Sequence, residues 1–107
     1  MKVYETDIMK TIMQTLDVYN INYTRNNAGA VKIRNNKFYH FGTAGWADII
    51  GWTHNGKFLA IEVKRPGGKL SEKQKLFLER LNNDGGIGIV VDSINSLLTQ
   101  LKERSVI

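Results

Sequence analysis

The stretch Ala47–Lys64, ADIIGWTHNGKFLAIEVK, reads as two β-prone runs around a turn. ADIIGWT and KFLAIEVK carry β-branched and aromatic residues, and the HNG between them is a hairpin signal. Side chains alternate along a strand, so Phe58, Ala60, Glu62 and Lys64 share one face, and Leu59, Ile61 and Val63 share the other. A carboxylate and an ammonium therefore stand together near the end of a strand that otherwise looks like core. An ion pair on an exposed sheet surface is one account of them. The other depends on Asp48 and on the length of the loop. A two-residue Asn55-Gly56 loop puts Asp48 opposite Val63, on the wrong face. A three-residue loop, His54-Asn55-Gly56 with Gly56 left-handed, puts Asp48 opposite Glu62. The sequence permits both. In the second register two carboxylates converge beside a lysine, and a hard divalent cation such as Mg²⁺ or Mn²⁺ would balance their charge.

On either side of the hairpin the pattern is helical. Ile8, Met9, Ile12, Met13 and Leu16 form one apolar stripe, which predicts a helix from Glu5 to Tyr19. Ser71 to Asn83 is a second helix, with Ser71 as N-cap and Phe77, Leu78 and Leu81 on its apolar side. IGIVV, ending at Val91, is a short strand apolar on both faces. Ile94, Leu97, Leu98 and Leu101 mark a last helix. A strand or hairpin is expected around Val31 to Phe41. The expected order is αβββαβα, with residues 58–91 forming a βαβ crossover. Two polar residues extend apolar stripes. Glu5 precedes Ile8 and Met9, and is expected to face the body of the protein. Gln74 precedes Phe77, Leu78 and Leu81. A first-turn acid favoured by the helix dipole also explains Glu5, and a capping box with Ser71 also explains Gln74.

The chain has 107 residues, which fits a single domain spanning 1–107. It has no cysteine, which excludes thiol nucleophiles, disulfides and zinc–thiolate sites. Its opening residues contain no apolar stretch long enough for a signal peptide or a membrane span, so a soluble, cytoplasmic chain without membrane contact is expected. The net charge of +5 favours a polyanionic partner. GTAG lacks the G-K-[ST] of a phosphate-binding loop. His54 sits in a turn, and His40 belongs to no metal-binding set, which disfavours histidine chemistry.

Asp48 and the IEVK that ends at Lys64 have the form D-x₁₃-E-x-K. With GTAGWADIIG, AIEVKRPGGKLSEKQ and a glutamate on the first helix, the chain resembles the VRR-NUC branch of the PD-(D/E)xK nuclease superfamily, in its stand-alone form. The resemblance implies a restriction-endonuclease-like α/β core, a mixed sheet flanked by helices. It also implies divalent-metal-dependent hydrolysis of DNA phosphodiesters. Asp48, Glu62 and the Val63 carbonyl would hold Mg²⁺ or Mn²⁺, with Glu5 contacting it directly or through water. Lys64 would orient or deprotonate the attacking water, and Gln74 would support the site. The proline that usually precedes the motif aspartate is Ala47 here, which alters loop stiffness rather than chemistry. Lys32, Arg34, Arg65, Lys69 and Lys73 are candidates for phosphate contacts. Tyr39, Phe41, Trp46 and Trp52 are candidates for stacking or for packing. Relatives of the stand-alone kind resemble Holliday-junction resolvases, which implies a homodimer acting on branched DNA, phage-encoded or nucleoid-associated. A flap-type nuclease and a non-catalytic nucleic-acid-binding module on the same fold are the alternatives.

Overall fold

A computed structural model describes residues 4–107. Helix α1, Glu5–Val18, leads into strand β1, Asn22–Arg25. Strands β2, Gly29–Lys32, and β3, Phe38–Phe41, follow, joined through a 3-10 turn at Arg34–Asn36. Then come β4, Ile49–Trp52; β5, Phe58–Val63; α2, Glu72–Asn83; β6, Ile87–Val91; and α3, Ile94–Glu103.

β4 and β5 form the antiparallel hairpin, with Ile49 paired to Ile61 and Trp52 to Phe58. The loop is the three-residue one. The Thr53 N–H donates to the Lys57 carbonyl, the Gly56 N–H donates to the Thr53 carbonyl, and Gly56 has φ +81°. A left-handed residue at that point closes a three-residue hairpin, and glycine adopts it without strain. The Thr53 hydroxyl and the Asn55 side chain hydrogen-bond across the turn. His54 Nε2 donates to the Asn20 carbonyl at 2.9 Å, tying the turn to the end of α1.

The main sheet has the order β1-β4-β5-β6, and β6 runs parallel to β5 after the α2 crossover. Helices cover both faces. Ile8, Met9, Ile12 and Leu16 of α1 and Leu97 and Leu101 of α3 pack on Ile49, Leu59, Ile61, Val63, Ile89 and Val91. The opposite face carries Ala47, Ala60 and Leu78, with Phe58, Phe77 and Leu81 around them. Small residues let α2 sit close on this second face. A Cβ at Gly88 would lie 3.0 Å from Leu78, and Gly88 pairs with Ala60. Asn82 fastens the end of α2 to β6 by two hydrogen bonds to the Gly88 backbone.

The mixed sheet flanked by helices is the expected architecture. The strands before the hairpin differ from the expected order. β1, absent from that order, is the sheet's edge and pairs with β4. The hairpin expected around Val31–Phe41 exists, but as a separate two-stranded ribbon of β2 and β3 outside the main sheet. The physical reason is length and exposure. β1 has four residues of which none is fully buried, so it shows no apolar alternation to read. Every ribbon side chain described is exposed, so its β-prone residues do not mark a buried strand. The side chain of Phe41 lies outside the described residues. Among the described residues, no helix is long and apolar enough to cross a membrane.

Candidate active site

Asp48 stands one residue before the last strand pair, Ile49 with Ile61, and in that register faces Glu62 at the carboxyl end of β5. Asp48 Oδ2 accepts the Val63 N–H at 2.8 Å. Its carboxyl group lies close enough to that of Glu62 to raise the Glu62 pKa. Glu62 is only 2% exposed, among the most deeply buried side chains of the chain. Lys64 follows on the same face, half-buried, with Nζ 3.8 Å from Glu62 Oε1. The charged residues of β5 are therefore a buried constellation rather than an exposed ion pair.

Burial is the largest cause of a raised Glu62 pKa, from the ordinary 4.5 to about 8. The neighbouring Asp48 carboxyl group adds to it, while Lys64 pulls the other way. Burial and the neighbouring carboxyl group thus favour the protonated form of Glu62 at neutral pH. The same proximity that keeps the proton is what a cation would exploit.

Gln74 serves both roles that the sequence left open. Its Oε1 accepts the Ser71 N–H at 2.8 Å, and its own N–H donates to the Ser71 hydroxyl, completing a capping box. Its Nε2 donates to Glu62 Oε1 at 3.0 Å. The first turn of α2 is thereby fixed to the buried carboxyl group.

Glu5 differs from expectation. It is exposed at the start of α1, which packs on the face of the sheet opposite Glu62. It lines a cavity of about 340 Å³ with Tyr4, Thr6 and Arg65, and its charge still reaches Glu62 and raises that group's pKa further. Among the described residues no three Asp, Glu or His side chains close into one group. The donors that do converge are oxygens only, two carboxylates with backbone carbonyls nearby. Mg²⁺-type ions take one or two carboxylates and complete their shell with water and substrate phosphate, so this pair fits such an ion without a third acid.

Asn26 is a residue that the sequence reading passed over. Its N–H donates to the Asp48 carbonyl at 2.7 Å. Its side-chain Nδ2 donates to the carbonyls of Thr43 and Ala47, and its Oδ1 accepts the Thr43 N–H. One side chain thus clamps the loop that delivers Asp48 to the root of the ribbon. Nothing in a lone asparagine after a short strand signals this, because its partners lie 17 and 21 residues away.

The basic candidates are spread over three parts of the chain. Arg65 and Lys69 are exposed on the loop after β5, and Lys73 is exposed on α2, next to Gln74. Lys32 and Arg34 are exposed on the ribbon, in a stretch from Val18 to Ala47 that contains no acid.

A family model described as the VRR-NUC domain matches residues 6–94, most of the chain. Searches of curated proteins and of solved structures return no significant match.

Proposed function

The chain belongs to the VRR-NUC family, a nuclease-type domain with a PD-(D/E)xK-like fold, and from that premise we propose that it is a divalent-metal-dependent, structure-selective DNA endonuclease. The observation that supports the reading most is the meeting of Asp48 and Glu62 across β4 and β5, with Lys64 beside them. A bare binding module has no use for a buried carboxylate set against a second one.

Asp48, Glu62 and the Val63 carbonyl would hold Mg²⁺ or Mn²⁺, and Glu5 would contribute through water from the cavity it shares with Arg65. Bound there, such an ion would supply polarisation of the phosphate, a lowered water pKa and a counter-charge for the leaving oxygen. The protein's own part is positioning. Lys64 is the cation close enough to Glu62 to orient a water for in-line attack on phosphorus. Gln74 holds Glu62 Oε1 in one orientation, and the Val63 N–H does the same for Asp48 Oδ2. Two protein donors on two carboxylates preorganise the site before substrate arrives. Hydrolysis proceeds without a covalent enzyme intermediate, in keeping with a chain that lacks cysteine.

DNA is the proposed substrate and branched DNA the preferred form. Arg65, Lys69 and Lys73 would meet the phosphates next to the scissile bond, and Lys32 and Arg34 those further along. Each chain has one such carboxylate pair among the described residues. Cutting two strands of a junction in concert therefore takes two copies, and a resolvase-like homodimer is the proposed assembly.

The test is to map cuts, strand by strand, on Holliday junctions, flaps, splayed arms and plain duplex, in Mg²⁺ and in Mn²⁺. Paired symmetric nicks on the four-way junction are expected. Cuts confined to single arms would replace the resolvase-like reading with a flap-type one. DNA binding without cleavage in either metal would leave only a binding module.

A further inference from the structure

On the α2 face of the sheet, the face that also carries Glu62, lies a groove of about 600 Å³ lined by Trp46, Phe58 and Phe77. Its floor is aromatic. Trp46 meets Phe77 at 5.2 Å between ring centroids with a 32° tilt, and meets Phe58 edge-on at 5.8 Å. Trp46 nonetheless keeps 43% of its surface exposed, and Leu76 on the opposite wall is half exposed. Lys73 and Arg80 stand at the rim, against one acid of the lining, Asp84. A large indole held by two other rings and left open to solvent is costly unless something covers it.

The groove is joined to the carboxylates through the chain at two points. Trp46 precedes Asp48 by two residues in the loop that Asn26 clamps, so their backbones lie at most about 7 Å apart. That is roughly two steps of a nucleic-acid strand at about 3.4 Å each. Lys73 adjoins Gln74, which holds Glu62. A volume of this size lies in the ordinary small-ligand range of about 300–1,000 Å³, too small for a duplex and adequate for one base.

We propose that this groove takes an unpaired nucleobase of the DNA strand bound at the carboxylates, stacked on Trp46, with Lys73 and Arg80 on the flanking phosphates. This rests on the nuclease reading for the strand's placement, and it supplies a physical basis for structure selectivity. A base in a duplex is already stacked and cannot enter, whereas a base at a junction, bulge or flap enters without first being unpaired. The cationic rim favours a polyanion over a second copy of a chain with net charge +5.

The experiment is equilibrium binding in EDTA, so that cleavage plays no part. The probes are a duplex with one unpaired 2-aminopurine and its fully paired counterpart. A Trp52→Phe background leaves Trp46 as the sole indole reporter, since the chain has two tryptophans. The expected result is quenching of both fluorophores and about tenfold tighter binding of the bulged DNA. Trp46→Ala should abolish that preference, and Trp46→Phe should keep most of it. Leu76→Glu, on an exposed side chain, sets a negative charge in the lining without touching the aromatic floor, repels the flanking phosphates and should abolish the preference too. Equal affinity for the two DNAs, or a preference surviving in Trp46→Ala, would overturn the proposal. So would a Trp46→Ala effect confined to oligomeric state. A chain that binds bulged DNA through Trp46 but cleaves nothing in Mg²⁺ or Mn²⁺ would sink the nuclease reading and leave this pocket standing.

Discussion

Glu62 stands at the centre of the proposed mechanism, and its buried carboxyl makes a measurable demand on stability. The folded state holds its proton up to about pH 8, whereas an unfolded glutamate releases it near 4.5. Between those values the native chain binds more protons than the unfolded one, so stability falls as pH rises through that window and levels off above it. In EDTA, urea unfolding should show a loss of a few kcal/mol between about pH 5 and 8. Glu62→Gln removes the ionisation and should flatten that slope. A divalent ion should offset the loss, raising Tm more at pH 8 than at pH 5 in the wild-type chain and at neither pH in Glu62→Gln. Asn26 makes a different demand. Asn26→Ala deletes three side-chain hydrogen bonds, each worth about 0.5–1.5 kcal/mol, and frees the loop carrying Asp48. The expected outcome is a fold that is weakened but intact, with kcat lowered more than KM, because the phosphate-binding side chains stay in place.

The elements show what the sequence could and could not reveal. The hairpin was legible in the sequence but its register was not, because HNG allows a two-residue loop as well as the three-residue one that puts Glu62 and Asp48 together. Gly56 at φ +81° selects that loop. Ser71 and Gln74 were legible as a cap, and the bond from Gln74 to Glu62 was foreshadowed by the apolar stripe that Gln74 extends. Glu5 extends a stripe in the same way, yet it stays exposed, because α1 lies across the other face of the sheet. Periodicity shows that a residue points toward a sheet but not which face it approaches. β1 was illegible because its place is set by a partner rather than by its own pattern. That partnership is tight. A Cβ at Gly51 would stand 2.0 Å from the Asn22 carbonyl oxygen, so Gly51→Ala should push β1 from β4 and lower stability by about 1–3 kcal/mol in thermal unfolding. Ser71→Ala should cost about 1 kcal/mol and also reduce activity, since the cap orients the amide that holds Glu62. In the ribbon, Lys32→Glu with Arg34→Glu should weaken DNA binding and flatten its salt dependence while leaving Tm unchanged, because both side chains are exposed.

At the level of the molecule, the two sides of the sheet divide the labour. The α1–α3 side carries the larger apolar core, with Ile12, Leu16, Ile61 and Leu101 fully buried. The α2 side has a smaller core of Ala47, Ala60 and Leu78, which leaves space at the strand ends for Glu62, Asp48 and the Trp46 groove. Stability rests mainly on one face and the proposed chemistry on the other, so substitutions in the carboxylate site should inactivate without unfolding. A junction-cutting dimer adds a further expectation: cleavage should rise more steeply than linearly with chain concentration below the dimer dissociation constant. The most direct measurement is cleavage of end-labelled branched DNA in Mg²⁺ or Mn²⁺ by the wild-type chain, by Glu62→Gln and by Lys64→Ala, each checked for folding by thermal melting. The account predicts cleavage by the wild type that EDTA abolishes, and none by either folded variant. Undiminished cleavage by a folded Glu62→Gln chain would contradict it.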